Sequence, residues 1–135
     1  MIHVIMGLKG SGKTKKMIDS INEVLSTASG DVVCIEYGKK LTYDVNYRVR
    51  LVDSKEYGIS NSDMLKGLLS GLHAGNFDIT HVYIDNLYKT IGTDRANGEA
   101  FVAWCAAFAE ANNMNITITI SDDPANASEE IKKYL

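Results

Sequence analysis

Hydrophobic and polar positions along the chain switch repeatedly between two periods, and the switches predict alternating strands and helices. Ile2 to Met6 is a short apolar run broken only by His3, which predicts a buried strand with His3 as a structural residue. From Lys13 the period lengthens: Met17, Ile18, Ile21, Val24 and Leu25 recur at helical spacing, and Ser29-Gly30 supplies the stop. Asp31 to Glu36 carries Val32, Val33, Cys34 and Ile35 in succession, the pattern of a strand covered on both faces. Tyr47, Val49 and Leu51 alternate with Arg48 and Arg50, which predicts a half-exposed strand near a sheet edge.

Next comes a helix opened by a Ser60–Asp63 capping box, with Met64, Leu65, Leu68 and Leu72 on one face and Gly67 and Gly71 weakening it. His81 to Asp85 predicts a further buried strand ending in an acid. Thr93 to Asn113 holds a helix striped by Phe101, Trp104, Cys105 and Phe108, and the β-branched run Asn115 to Ile120 predicts the last strand. Ala125 to Leu135 is expected to close the chain as a helix, with Pro124 near its first turn. Five strands and four helices in this order predict an α/β fold: a three-layer sandwich around a mostly parallel five-stranded sheet.

Composition bounds this picture. The 135 residues fit one domain, 1–135, and 45% hydrophobic content is enough for a core without disulfides. A net charge of −3 argues against a protein that coats nucleic acid or a membrane surface. No apolar run approaches the ~20 residues needed to span a bilayer. The first residues are too short for a signal-peptide core, so the cytoplasm is the expected location. Cys34 and Cys105 lie in apolar stretches, match no metal spacing and are expected to be buried thiols. His73 and His81 have no paired metal ligands in the sequence.

One segment carries chemistry. Gly7-Leu8-Lys9-Gly10-Ser11-Gly12-Lys13-Thr14 follows a predicted strand and opens a predicted helix, and it matches G-x-x-x-x-G-K-[ST] in full. Gly7, Gly10 and Gly12 admit backbone angles that a Cβ disfavours, so the N–H groups of Lys9 to Thr14, with Ser11 among them, can turn inward as an anion nest. The helix beginning at Lys13 aims its positive end at the same place. Lys13 sets a compact cation against β and γ phosphates, and the Thr14 hydroxyl is available to Mg²⁺. Lys9, Lys15 and Lys16 add positive charge.

A phosphate loop leaves Mg²⁺ short of ligands, so a carboxylate is expected at the end of a neighbouring buried strand. Asp85, after Val82-Tyr83-Ile84, is the first candidate; Asp53, after the edge-like run Val49 to Val52, is the second.

Gly7 to Thr14 resembles a Walker A motif and Val82 to Asp85 a Walker B motif. Together with the element order, the chain is similar to the P-loop NTPase superfamily, closest to its additional-strand division of RecA-like and thymidine-kinase-like proteins. The resemblance implies Mg-ATP as ligand, Lys13 and Asp85 as catalytic residues, Thr14 and Asp85 toward the metal, and a polar sensor at Ser121 and Asp122. The chain departs from that pattern in two ways. Asn86 stands where many such ATPases carry a base beside the Walker B acid, and no strand follows the sensor strand. No guanine-reading Asn-Lys-x-Asp occurs, which leaves ATP by elimination.

In a parallel sheet the loops leaving the strand C-termini gather around a ligand. They collect Glu36, Tyr37, Lys39 and Lys40, then Asn86, Tyr88 and Lys89, then Ser121 to Asp123. Glu36 and Asp122 are the alternatives for a base. Tyr37, Tyr88, Arg48, Arg50 and Arg95 are expected to be surface residues. The expected activity is a slow or partner-dependent ATPase, with a second subunit or a protein partner completing the site. A small-molecule kinase and a non-hydrolysing, nucleotide-dependent binding module are the alternatives. The kinase ranks lower because only 37–46 and 86–94 are long enough to serve as lid or acceptor loops.

Overall fold

The apolar runs become five strands: β1 (Ile2–Gly7), β2 (Asp31–Glu36), β3 (Arg50–Asp53), β4 (Ile79–Ile84) and β5 (Asn115–Ser121). Five α-helices separate or follow them: α1 (Lys13–Thr27), α2 (Ser62–Gly75), α3 (Leu87–Ile91), α4 (Arg95–Ala111) and α5 (Glu129–Lys132). The computed structural model describes residues 1–27, 29–42 and 44–135.

The strands form one sheet in the order β1-β5-β4-β2-β3, and every pairing is parallel. Parallel pairing needs a crossover between successive strands, so all five C-terminal ends emerge at one edge of the sheet. Registers such as Ile35↔Ile84 and Ile84↔Ile118 align branched side chains across three strands.

Side chains alternate across the sheet and so divide the core in two. On one face Val33, Ile35, Val82, Ile84, Ile116 and Ile118 pack with Leu65 and Leu69 of α2 and with Phe101 and Val102 of α4. On the other, Val32, Cys34 and Tyr83 meet Met17 and Ile21 of α1, with Leu41, Val45 and Val49 extending the layer beyond β2. The helices therefore flank the sheet on both sides, as a three-layer α/β arrangement requires. Cys34 and Cys105 are free and buried, and loss of solvent pushes both thiols far above their usual range. Among the described residues no helix is long and apolar enough to cross a membrane.

Several local expectations are corrected. The edge strand starts at Arg50, because the Asn46 side chain accepts the Arg48 N–H at 2.9 Å and the Asn46 carbonyl accepts Val49 N–H at 3.0 Å. That closes a turn where strand alternation was expected. The cap of α2 is Asn61, whose side chain accepts Met64 N–H at 2.9 Å, and Ser60 lies outside the helix. Leu65 and Leu69 are its buried apolar residues, whereas Met64 is 38% exposed. The expected loop at 86–94 contains α3, and the closing helix breaks into a 3₁₀ turn, Pro124–Asn126, and the short α5 capped by Ser128. Tyr43, within the expected 37–46 loop, and Ala28, beside the expected helix stop, lie outside the described residues.

The corrected face of α2 sets a stability contrast. Leu69→Ala removes a fully buried side chain and is expected to cost about 2–5 kcal/mol. Met64→Ala should stay within about 0.5 kcal/mol, as exposed substitutions do. Urea midpoints at unchanged slope measure both.

Candidate functional site

The turn between β1 and α1 lies at the sheet edge where the strand ends emerge. Within it Gly10 and Gly12 adopt φ +82° and +89°, backbone that L side chains rarely enter. Ser11 N–H donates to the Leu8 carbonyl at 3.0 Å, and Lys13 Nζ reaches back to the same carbonyl at 3.0 Å. Lys13 is buried despite its charge, and Thr14 follows it on the first turn of α1. The loop is thus tied to itself through Leu8 O, with glycine at the two positions where its direction reverses.

Asp85 immediately follows β4, two strands from β1 with β5 between them. Its Oδ1 accepts a 2.7 Å hydrogen bond from Thr119 Oγ1 on β5 and a longer, 3.4 Å one from Thr14 Oγ1. Thr119 in turn accepts the Asn86 N–H at 2.7 Å. Asn86 sits at φ +54°, ψ +64°, left-handed backbone that asparagine tolerates better than most residues. Thr119 was not among the sequence candidates. Its only signal was a threonine at the third polar position of an otherwise isoleucine-rich strand, and that alternation does not say what it faces.

Asp53, the rival acid, is on edge strand β3, separated from β4 by β2. Its carboxylate accepts Gly38 N–H at 2.8 Å and Lys55 N–H at 2.9 Å, so it closes turns and stands apart from Thr14.

Glu36 ends β2 and is buried. Its Oε1 accepts Lys40 N–H at 3.0 Å, and both carboxylate oxygens face Leu41 N–H, at 3.3 and 3.2 Å. Burial pushes its carboxyl above the usual range, with the Asp85 and Asp53 charges adding, against the downward pull of the two N–H groups. Asp122 differs. Arg95 grips it through two bonds, 2.7 and 3.1 Å, which with Asn126 and Asp123 N–H hold its carboxyl at about 2. That carboxylate is already saturated with donors and is poorly suited to accept a proton.

A cavity of about 730 Å³ opens over these groups. Its lining joins the loop residues Lys9, Gly10, Gly12, Lys13 and Thr14 to Glu36, Lys40, Asp85 and Lys89. Tyr37, Tyr88 and Ser121 contribute further wall. Tyr88 is buried against Gly98, contrary to the surface position expected, whereas Tyr37 keeps Lys55 over its ring at 5.8 Å. Arg48 bonds the Leu25 carbonyl at 3.2 Å and, with Arg50, lines a separate groove by α2. Lys15 pairs with Asp19 at 2.9 Å, and Lys16 is exposed away from the cavity wall.

Among the described residues no three His, Cys, Asp or Glu side chains gather as a metal cluster. The Thr14 hydroxyl and Asp85 carboxylate, both oxygen donors, instead fit a Mg²⁺ ion that keeps waters and takes few protein ligands.

The Asp85–Thr119–Asn86 chain carries its own test. Thr119→Val keeps the shape but removes the acceptor for Asn86 N–H and the donor to Asp85, with an expected stability loss of about 1–3 kcal/mol by denaturant titration. With this geometry in view, no protein-family model matches the chain and no curated protein matches it, so the chemistry of the site rests on its residues.

Proposed function

We propose that the chain is a P-loop NTPase of the additional-strand division that binds Mg-ATP in the cavity and hydrolyses it slowly on its own. One observation carries the reading: a full G-x-x-x-x-G-K-[ST] segment turns from strand into helix with Thr14 3.4 Å from the Asp85 carboxylate. The sheet order supports the additional-strand division, because β5 separates the loop strand β1 from the acid strand β4.

Each residue then has a part. The loop N–H groups and the end of α1 receive the phosphate oxygens. Lys13 exchanges the Leu8 carbonyl for the β and γ phosphates. Thr14 and Asp85 hold the metal, Asp85 pre-oriented by Thr119. Bound Mg²⁺ neutralises phosphate charge and helps align the terminal phosphoryl group.

Glu36 is the carboxylate available as general base. Its raised proton affinity favours that task, while its bonds to Lys40 and Leu41 N–H occupy the lone pairs that would receive a proton. Firm binding with slow turnover follows, and a second copy or protein partner that frees or supplements Glu36 would raise the rate. The available base favours an enzyme over a pure binding module. Two buried free cysteines accord with a reducing cytoplasm.

Binding is tested by calorimetry. Lys13→Ala should abolish detectable Mg-ATP binding without unfolding the chain; Thr14→Ala and Asp85→Ala should weaken binding with Mg²⁺ more than without it. Equal losses in the presence and absence of metal would remove both residues from the metal's surroundings.

Turnover is tested separately by phosphate release. Glu36→Gln should lower the rate by about 10²-fold or more while leaving Mg-ATP affinity unchanged. A rate that survives Glu36→Gln but falls in Asp122→Asn would transfer the role to the sensor strand. Phosphate appearing on an added acceptor instead of in solution would make the enzyme a kinase.

A further inference from the structure

Apart from Lys15, which Asp19 holds, three cavity lysines have no role in the reading above: Lys9 in the loop, Lys40 after β2 and Lys89 in α3. Among the described residues none of them has a carboxylate within ion-pair distance, whereas Lys39, next to Lys40, pairs with Glu56 at 3.7 Å outside the cavity. Lys40 and Lys89 come from segments that follow neighbouring strands, β2 and β4, and line the same cavity. The close approach of Lys40 and its charge hold Lys89 below its usual range, and the charge of Lys9 in the loop adds to them. Both side chains are exposed and flexible, so their ammonium groups can rearrange around an anion that enters the cavity.

Charge decides how much anion fits. Five lysines and three acids line the cavity, and Lys15 is already paired with Asp19, which leaves a surplus of one positive charge. A nucleoside triphosphate with one Mg²⁺ carries about two negative charges, so a single nucleotide offsets that surplus without a second anionic ligand. Besides the phosphate loop and Lys13, the cavity that holds Glu36 and Asp85 offers Lys40 and Lys89 as cations for the terminal phosphate.

We propose that Lys40 and Lys89 join the loop in closing on the γ-phosphate, and so make the site selective for a triphosphate over a diphosphate. The proposal rests on the nucleotide-binding reading above. Lys40 joins two functions, because its backbone N–H bonds Glu36 Oε1 at 3.0 Å while the residue also lines the cavity. Drawing the Lys40 side chain toward the γ-phosphate would shift the same residue that holds the base. Triphosphate recognition and the position of Glu36 are then coupled through one backbone unit, with no second subunit required.

The test compares Mg²⁺ complexes of a non-hydrolysable ATP analogue and of ADP, by calorimetry on the full chain. Both lysines are exposed, so Lys40→Met and Lys89→Met should fold as the parent does. Each is expected to lose about ten-fold in affinity for the triphosphate and nothing for the diphosphate, and Lys40→Arg should restore most of the loss. If the parent binds both nucleotides and the variants leave their affinity ratio unchanged, the clamp is wrong and the nucleotide reading stands. Equal losses for both nucleotides also overturn the clamp, leaving general electrostatic attraction in its place. A parent that binds neither nucleotide overturns the clamp and the reading beneath it together.

Discussion

A single carboxylate oxygen, Asp85 Oδ1, joins three separate segments: it follows β4, it accepts Thr119 of β5, and it lies 3.4 Å from Thr14 of α1. Asp85 N–H in turn donates to the Ile35 carbonyl of β2 at 2.8 Å. The residue is thus fixed from both neighbouring strands before any ligand enters. A carboxylate held in this way needs no reorganisation to meet a cation, which is where pre-organised sites gain their advantage. The parallel sheet is the precondition. Only when every strand points the same way do the ends of β1, β2, β4 and β5 arrive at one edge with their polar residues together.

The fold was legible wherever burial alone determines the element. Runs such as Val32 to Ile35 and Ile116 to Ile120 can satisfy their apolar side chains only inside a sheet, and their bounds agree with the structure within a residue or two. Legibility failed where a local polar contact competes with the pattern. Asn46 captures the Arg48 N–H and ends the apparent alternation; Asn61 wins the cap of α2 from Ser60; Asn86 turns left-handed and starts α3 inside an expected loop. Asn46 and Asn61 act through their side chains on their own neighbourhoods, whereas Asn86 caps nothing with its side chain and is held through its N–H by Thr119; hydrophobic periodicity registers neither effect.

The site divides in the same way. The candidate loop Gly7 to Thr14 was legible because a glycine-rich strand-to-helix turn is contiguous in sequence and appears as one string. Asp85 was singled out through its strand, and the sheet order sets β3, which carries Asp53, at the far edge. Thr119 was missed because its importance is tertiary: a threonine in a β-branched strand is unremarkable until β4 brings Asp85 within 2.7 Å. The convergence of Lys40 and Lys89 was missed for the same reason, since each is an ordinary loop lysine in its own segment.

Asn86 limits how this site can vary. Its φ of +54° follows directly from the turn that lets Asp85 leave β4 while Asn86 N–H bonds Thr119. A glutamate there would bring a carboxylate next to Asp85 but would have to occupy left-handed backbone, at a cost of roughly 1–2 kcal/mol. Its charge would also add to those of Asp85 and Glu36 in a cavity where the Glu36 carboxyl is already pushed upward. The geometry of the β4–α3 turn therefore disfavours a carboxylate beside Asp85, and in the proposed reading the proton-accepting role falls to the neighbouring strand end. There Glu36 is near enough to Asp85 to feel its charge, yet is anchored by the N–H groups of Lys40 and Leu41. Whatever moves that short segment changes the proton affinity of Glu36 and the reach of Lys40 in the same step.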